Sequence, residues 1–78
     1  MYSTYEEELK WKLKFGDRLQ RLIHLKGLTQ GVFAKDLGVT EATLSGYITG
    51  AHIPNALKVQ QMANLLDCDV NRLYDESF

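Results

Sequence analysis

Residues 27–50 read GLTQGVFAKDLGVTEATLSGYITG, from Gly27 to Gly50. Two short helical patterns lie in this stretch, each opened by a threonine, Thr29 and Thr40, whose hydroxyl oxygen suits an N-cap. In the first, Val32 or Phe33, Ala34 and Leu37 are the inward candidates. Gly38 ends that helix with a positive φ, and Val39 packs beneath the turn. In the second, Leu44, Tyr47 and Ile48 recur at i, i+3 and i+4 as the buried stripe, leaving Glu41, Ala42, Thr43, Ser45 and Gly46 for the outer surface. Gly50 terminates it. A helix, a tight glycine turn and a second helix at a steep angle is the arrangement that lets a small domain lay one helix in a DNA major groove.

Upstream, Ser3 or Thr4 followed by Glu6, Glu7 and Glu8 marks a helix start, because acidic side chains favour the first turn. That helix is expected to run to about Lys26, with Leu9, Leu13, Phe15, Leu19 and Leu22 at helical spacing and Gly27 as its stop. Gly16 stands as a point of kinking or of division in two. Downstream, the Ala51–Pro54 link leads to Asn55, a good cap, and to a fourth helix with Val59, Met62 or Ala63, and Leu66 inward. Asp69 caps a last short turn from Val70 to Tyr74, whose Leu73 closes the core. No segment shows strand-like alternation, so the expected class is all-α: a compact five-helix bundle with an N-terminal helical extension.

The 78 residues, 45% hydrophobic, are expected to form one domain, residues 1–78, with residues 1–14 as the extension of the first helix and residues 29–49 as the helix-turn-helix motif. A single cysteine, Cys68, excludes an internal disulfide and has no metal-ligand spacing with His24 or His52, so a reducing compartment, the cytoplasm, is expected. Cys68 reads as core packing and both histidines as surface residues. No apolar run approaches the roughly 20 residues of a membrane span, and the acidic start is unlike a secretion signal. No nucleophile stands beside a base and no loop is built to cradle phosphate, so neither an enzyme nor a cofactor is expected.

The net charge of −1 argues against indiscriminate coating of nucleic acid. It hides an asymmetry. Lys10, Lys12, Lys14, Arg18, Arg21, Lys26 and Lys35 stand against Asp17 alone, whereas no Lys or Arg lies from Asp36 to Leu57. Lys10, Lys14, Arg18 and Arg21 can share one side of the first helix, either as a solvated face or flanking a DNA backbone. Trp11 beside them is expected to pack on Tyr74 and Phe78 ahead of a neighbouring subunit.

From about Phe15 to Tyr74 the chain resembles the Xre/Cro/CI-type helix-turn-helix family of phage repressors and bacterial regulators. The residues that carry the likeness are Leu28-Thr29-Gln30, Ala34, Leu37-Gly38-Val39-Thr40, Thr43-Leu44-Ser45, Tyr47, Gly50, Pro54, Ala63 and Leu66. The resemblance implies a lambda-repressor-like fold and a homodimer on a partly palindromic stretch of double-stranded DNA, with the third helix in the major groove. It places base readers at Glu41, Ala42, Thr43 and Gly46, beside the cap Thr40, and phosphate contacts at Gln30, Thr49 and the backbone from Gly50 to Asn55. His52, in a loop that is often basic in relatives, joins them as a phosphate contact. The chain departs from the pattern. Ala42 and Gly46 offer no donor to a base edge, Glu41 repels phosphate and could pair only with cytosine N4, and Ile23 and Ile48 stand where relatives often pair Arg with Glu.

Some of these positions have a reading in physical terms alone. Gln30, one residue into its helix, can reach a phosphate while free helix amides point the same way. The Thr43 methyl can touch a thymine methyl and its hydroxyl can serve either groove edge. Gly46, which costs about 1 kcal/mol in a helix relative to alanine, reads as drift ahead of close approach to DNA or to another protein. Glu41 reads as a favourable charge at the positive end of its helix. The function expected is a sequence-specific transcriptional regulator, a prophage- or plasmid-type repressor acting as a homodimer. The alternative, motivated by the cation-free stretch, keeps the fold as a protein-interaction module or antitoxin with weak DNA binding.

Overall fold

Side-chain caps mark four of the helix starts, the last where Asp69 accepts from the Asn71 amide at 2.9 Å; the other three open longer helices. Thr29 accepts a hydrogen bond from the Val32 amide at 3.2 Å, Thr40 from the Thr43 amide at 3.1 Å and Asn55 from the Lys58 amide at 2.8 Å. In each case the cap itself is extended, with ψ of 159°, 159° and 170°, and the oxygen satisfies an amide that the first turn leaves without a partner. The computed structural model describes residues 4–74. Five helices lie within them: α1, Thr4–Leu25; α2, Gln30–Leu37; α3, Glu41–Thr49; α4, Ala56–Leu65; and α5, Val70–Tyr74. There is no strand among the described residues.

Helix ends follow one device. After α1 the Leu28 amide donates to the Ile23 carbonyl, and after α2 the Val39 amide donates to the Ala34 carbonyl, each closing over a left-handed glycine, Gly27 at φ 78° and Gly38 at φ 83°. The third instance uses aspartate. Asp67, at φ 53°, lets the Cys68 amide reach back to the Ala63 carbonyl after α4, a turn that no glycine marks in the sequence. Lys26, just past α1, forms an ion pair with the Asp67 carboxylate.

The core gathers Phe15, Leu19 and Ile23 from α1, Phe33 and Leu37 from α2, Leu44 from α3, Val59, Met62 and Ala63 from α4, and Leu73 from α5. Phe33 is the inward residue of the pair left open, and Val32 remains 48% exposed. Met62 and Ala63 are both buried, while Tyr47 and Ile48 are half-buried against the core rather than inside it. Trp11 stacks on Phe15 at 5.1 Å between ring centroids and meets Tyr74 at 5.8 Å, so the aromatic outside the stripe is used within the chain. Phe78 and the side chains of Leu9 and Leu13 lie outside the described residues.

Two expectations for α1 are corrected. The helix does not divide at Gly16 but runs unbroken from Thr4 to Leu25. Gly16 is buried, and a Cβ there would overlap the Ile48 carbonyl and lie 3.0 Å from Ile48 Cα, so the glycine lets α1 and α3 touch backbone to backbone. Arg18 is not on a solvated or DNA-flanking face: it is 7% exposed, and its guanidinium points at the Leu73 carbonyl, 3.5 Å away, near the end of α5. A cation suits that end of a helix, where carbonyls lack intrahelical partners.

Candidate nucleic-acid interface

The outer edge of α3 carries most of the sequence-expected base readers. Glu41, Ala42, Ser45 and Thr49 are exposed along it, while Leu44 at the opposite face is fully buried. The rod is held from below by its packing on α1 and α2, and from its start by Thr40, which accepts the Thr43 amide and donates its own hydroxyl to Thr43 Oγ1 at 3.0 Å. Thr43 is therefore half-buried, its hydroxyl engaged by the cap while the residue stays at the edge of the exposed strip. Thr49, at the far end, hydrogen-bonds weakly to the Gly46 carbonyl at 3.5 Å, and Gly50 closes the helix at φ 87°.

Gln30 is the first residue of α2, exposed, and lines a shallow cleft of about 180 Å³ with Gln20, Ile23, His24 and Leu28. It stands beside the free amides of the α2 first turn, where an acceptor such as a phosphate oxygen gains both hydrogen bonds and the helix field. Glu41 reaches the same place. A Cβ on Gly31 would overlap its Oε1, so the Glu41 carboxylate lies over the first turn of α2 as well as serving the start of α3. A carboxylate thus sits over the start of α2, the expected place of a phosphate contact. Sequence reasoning missed this contact because it joins residues on different helices, with no spacing signal to reveal it.

Gly46 is corrected from the outer surface. It is buried, although it lies on the turn of α3 that leads to the exposed edge. What covers it is the imidazole of His52: a Cβ at Gly46 would overlap His52 Cδ2 and lie 3.0 Å from Nε2. The backbone amide of His52 donates to the Gly46 carbonyl at 3.1 Å, which fixes the loop over that turn. The missing side chain leaves a seat for the His52 ring. Asn55 belongs to the same loop, where its carboxamide oxygen caps α4.

The expected cationic flank is only partly drawn into the fold, since Lys10 and Lys14 are exposed along α1. Arg18 is buried, Arg21 lies 3.9 Å from Asp17 one turn away, and Lys26 pairs with Asp67. Lys58, the first cation after the empty stretch, donates to the Leu37 carbonyl at 3.2 Å and so ties α4 to the end of α2. Lys35 is exposed in the last turn of α2. No group of three or more metal-ligating side chains occurs among the described residues, and none of their helices is long and apolar enough to cross a membrane.

Residues 18–73 match the protein family described as Helix-turn-helix, HTH_3. An uncharacterized HTH-type transcriptional regulator, YazB, of Bacillus subtilis (strain 168) is 34% identical over 59 residues, which is 76% of this chain and 86% of the relative. Among solved structures, the restriction-modification controller protein C.AhdI from Aeromonas hydrophila superposes with a TM-score of 0.75 at 29% identity, over 80% of this chain and 94% of the other.

Proposed function

Because this chain belongs to the Helix-turn-helix family and is a DNA-binding transcriptional regulator, we propose that it is a repressor of prophage or plasmid type, acting in the cytoplasm as a homodimer. Its two α3 helices would enter successive major grooves about 34 Å apart on a partly palindromic site. The observation that carries this reading is the polar edge of α3, Glu41, Ala42, Ser45 and Thr49, exposed beside the exposed Gln30 of α2. In this reading Gln30, Thr49 and the Gly50–Asn55 backbone position the domain on phosphates, Thr40 holds α3 in register, and Ala42 and Thr43 meet base edges by apolar contact. The whole chain acts as one helix-turn-helix domain, without catalysis or a cofactor.

Mobility shifts against the DNA upstream of the gene, at low salt, test this. Retardation at micromolar dimer or below is expected, and Gln30→Ala should weaken binding to every sequence alike, by several-fold, because phosphate contacts carry no sequence information. No retardation at that concentration contradicts the reading. The Glu41 carboxylate over α2 and the lack of Lys or Arg from Asp36 to Leu57 favour a second reading, a protein-interaction module or antitoxin. A stoichiometric protein partner together with a flat salt dependence of DNA binding would select it; a steep fall in affinity with salt removes it.

A further inference from the structure

We propose that His52 is a base-reading residue, lent to α3 by the following loop to fill the place that Gly46 leaves empty. The inference rests on the reading that α3 faces DNA and adds to it which side chain reads sequence. Three observations converge. Gly46 lies inside a helix, where glycine is unfavourable relative to alanine. The His52 ring occupies the volume of the absent Cβ, with Cδ2 in contact and Nε2 3.0 Å from the Cβ position. The ring is not thereby hidden: His52 remains exposed, and its backbone amide is held on the Gly46 carbonyl at 3.1 Å.

The chemistry follows from this seating. The Cδ2 edge rests on α3, so the opposite edge of the imidazole, carrying Nδ1, faces away from the helix. Ala42 and Gly46 bring no hydrogen-bonding group to the exposed edge of α3, where the Thr43 oxygen already accepts the Thr40 hydroxyl and Glu41, Ser45 and Thr49 are the exposed polar side chains the ring would join. An imidazole offers both a donor and an acceptor, and a groove-facing N–H suits an acceptor on a purine edge, N7 or guanine O6. The backbone hydrogen bond holds the loop on α3 and the ring rests on the helix surface, an arrangement that suits direct readout. A phosphate contact would need neither the brace nor the glycine.

Selection of bound sequences from random duplex DNA tests the proposal, with the unaltered chain, H52A and G46A compared at one salt concentration and each variant's folding followed by circular dichroism. The unaltered chain should enrich a motif. H52A should enrich the same motif with about a tenfold loss of preference at one base pair of each half-site and the rest kept. G46A, whose new Cβ displaces the ring without removing it, should blur that same pair, and it carries the test should H52A fold poorly. A motif enriched identically by all three chains, or a uniform loss across all sequences with the preferences intact, overturns the assignment of His52 while leaving the DNA-binding reading in place. Enrichment of no sequence by the unaltered chain overturns both.

Discussion

At the scale of single residues, the interface is shaped by an acid as much as by what it lacks. The Glu41 carboxylate lies over Gly31 at the start of α2, so a phosphate arriving there must displace it or accept its repulsion. Glu41→Gln is therefore expected to tighten DNA binding several-fold at low salt, with the gain shrinking as salt screens the charge; binding unchanged or weakened at low salt would show that the carboxylate does not oppose phosphate. The same substitution should cost the isolated protein only a few tenths of a kcal/mol, since Glu41 also favours the positive end of α3. Cys68 sits half-buried against the core, and burial pushes its thiol pKa up from the ordinary 9.0, with Asp69 and Asp67 adding to the rise and Arg72 opposing it. A raised folded pKa means the thiol supports folding fully below the unfolded value and loses that support as pH climbs through the folded one. Alkylation by iodoacetamide at pH 8 should accordingly be slower in the folded chain than in urea; an equal or faster rate would contradict the burial.

At the scale of helices, glycines do two distinct jobs, and a pair of substitutions separates them. Gly38 has a positive φ and open space around it, so Gly38→Ala should cost about 1–2 kcal/mol of backbone strain. Gly16 has an ordinary helical conformation but no space, because the Ile48 backbone lies against it, and Gly16→Ala should cost about 3 kcal/mol or more, since neither backbone can give way as a side chain would. Urea unfolding of both variants checks the ranking; Gly16→Ala costing less than Gly38→Ala would place the α1–α3 contact wrongly. The same contrast separates what was legible in the chain from what was not. Thr29, Thr40 and Asn55 announced their helices, and Gly27, Gly38 and Gly50 their ends, because caps and left-handed turns are local chemistry. Gly16 misled because a glycine inside a helix looks the same whether it bends the helix or admits a neighbour. Arg18 misled because its partner, the Leu73 carbonyl, lies far along the chain. Asp67 escaped notice because aspartate takes the left-handed form without advertising it.

At the scale of the whole molecule, the charge asymmetry of the sequence does not become a bare basic face. Arg18 is buried and Arg21 and Lys26 have acidic partners in exposed ion pairs, while Lys10 and Lys14 remain exposed along α1. In the proposed complex, what the fold offers DNA is a shape: the polar edge of α3, the start of α2, and the loop from Gly50 to Asn55 closed over Gly46 by His52. A shallow hollow of about 310 Å³, lined by Leu22, Leu25, Leu66 and Cys68, is built instead from the end of α1 and the turn between α4 and α5, and it shares no residue with that shape. Titration of duplex DNA carrying the bound sequence into isotope-labelled protein, followed by amide resonances, tests the central claim most directly. Perturbations are expected to concentrate at Gln30–Val32, Glu41–Ser45 and Thr49–Asn55. Perturbations confined to Leu25, Leu66, Cys68 and Arg72, or none at all, would contradict the placement of α3 in the groove.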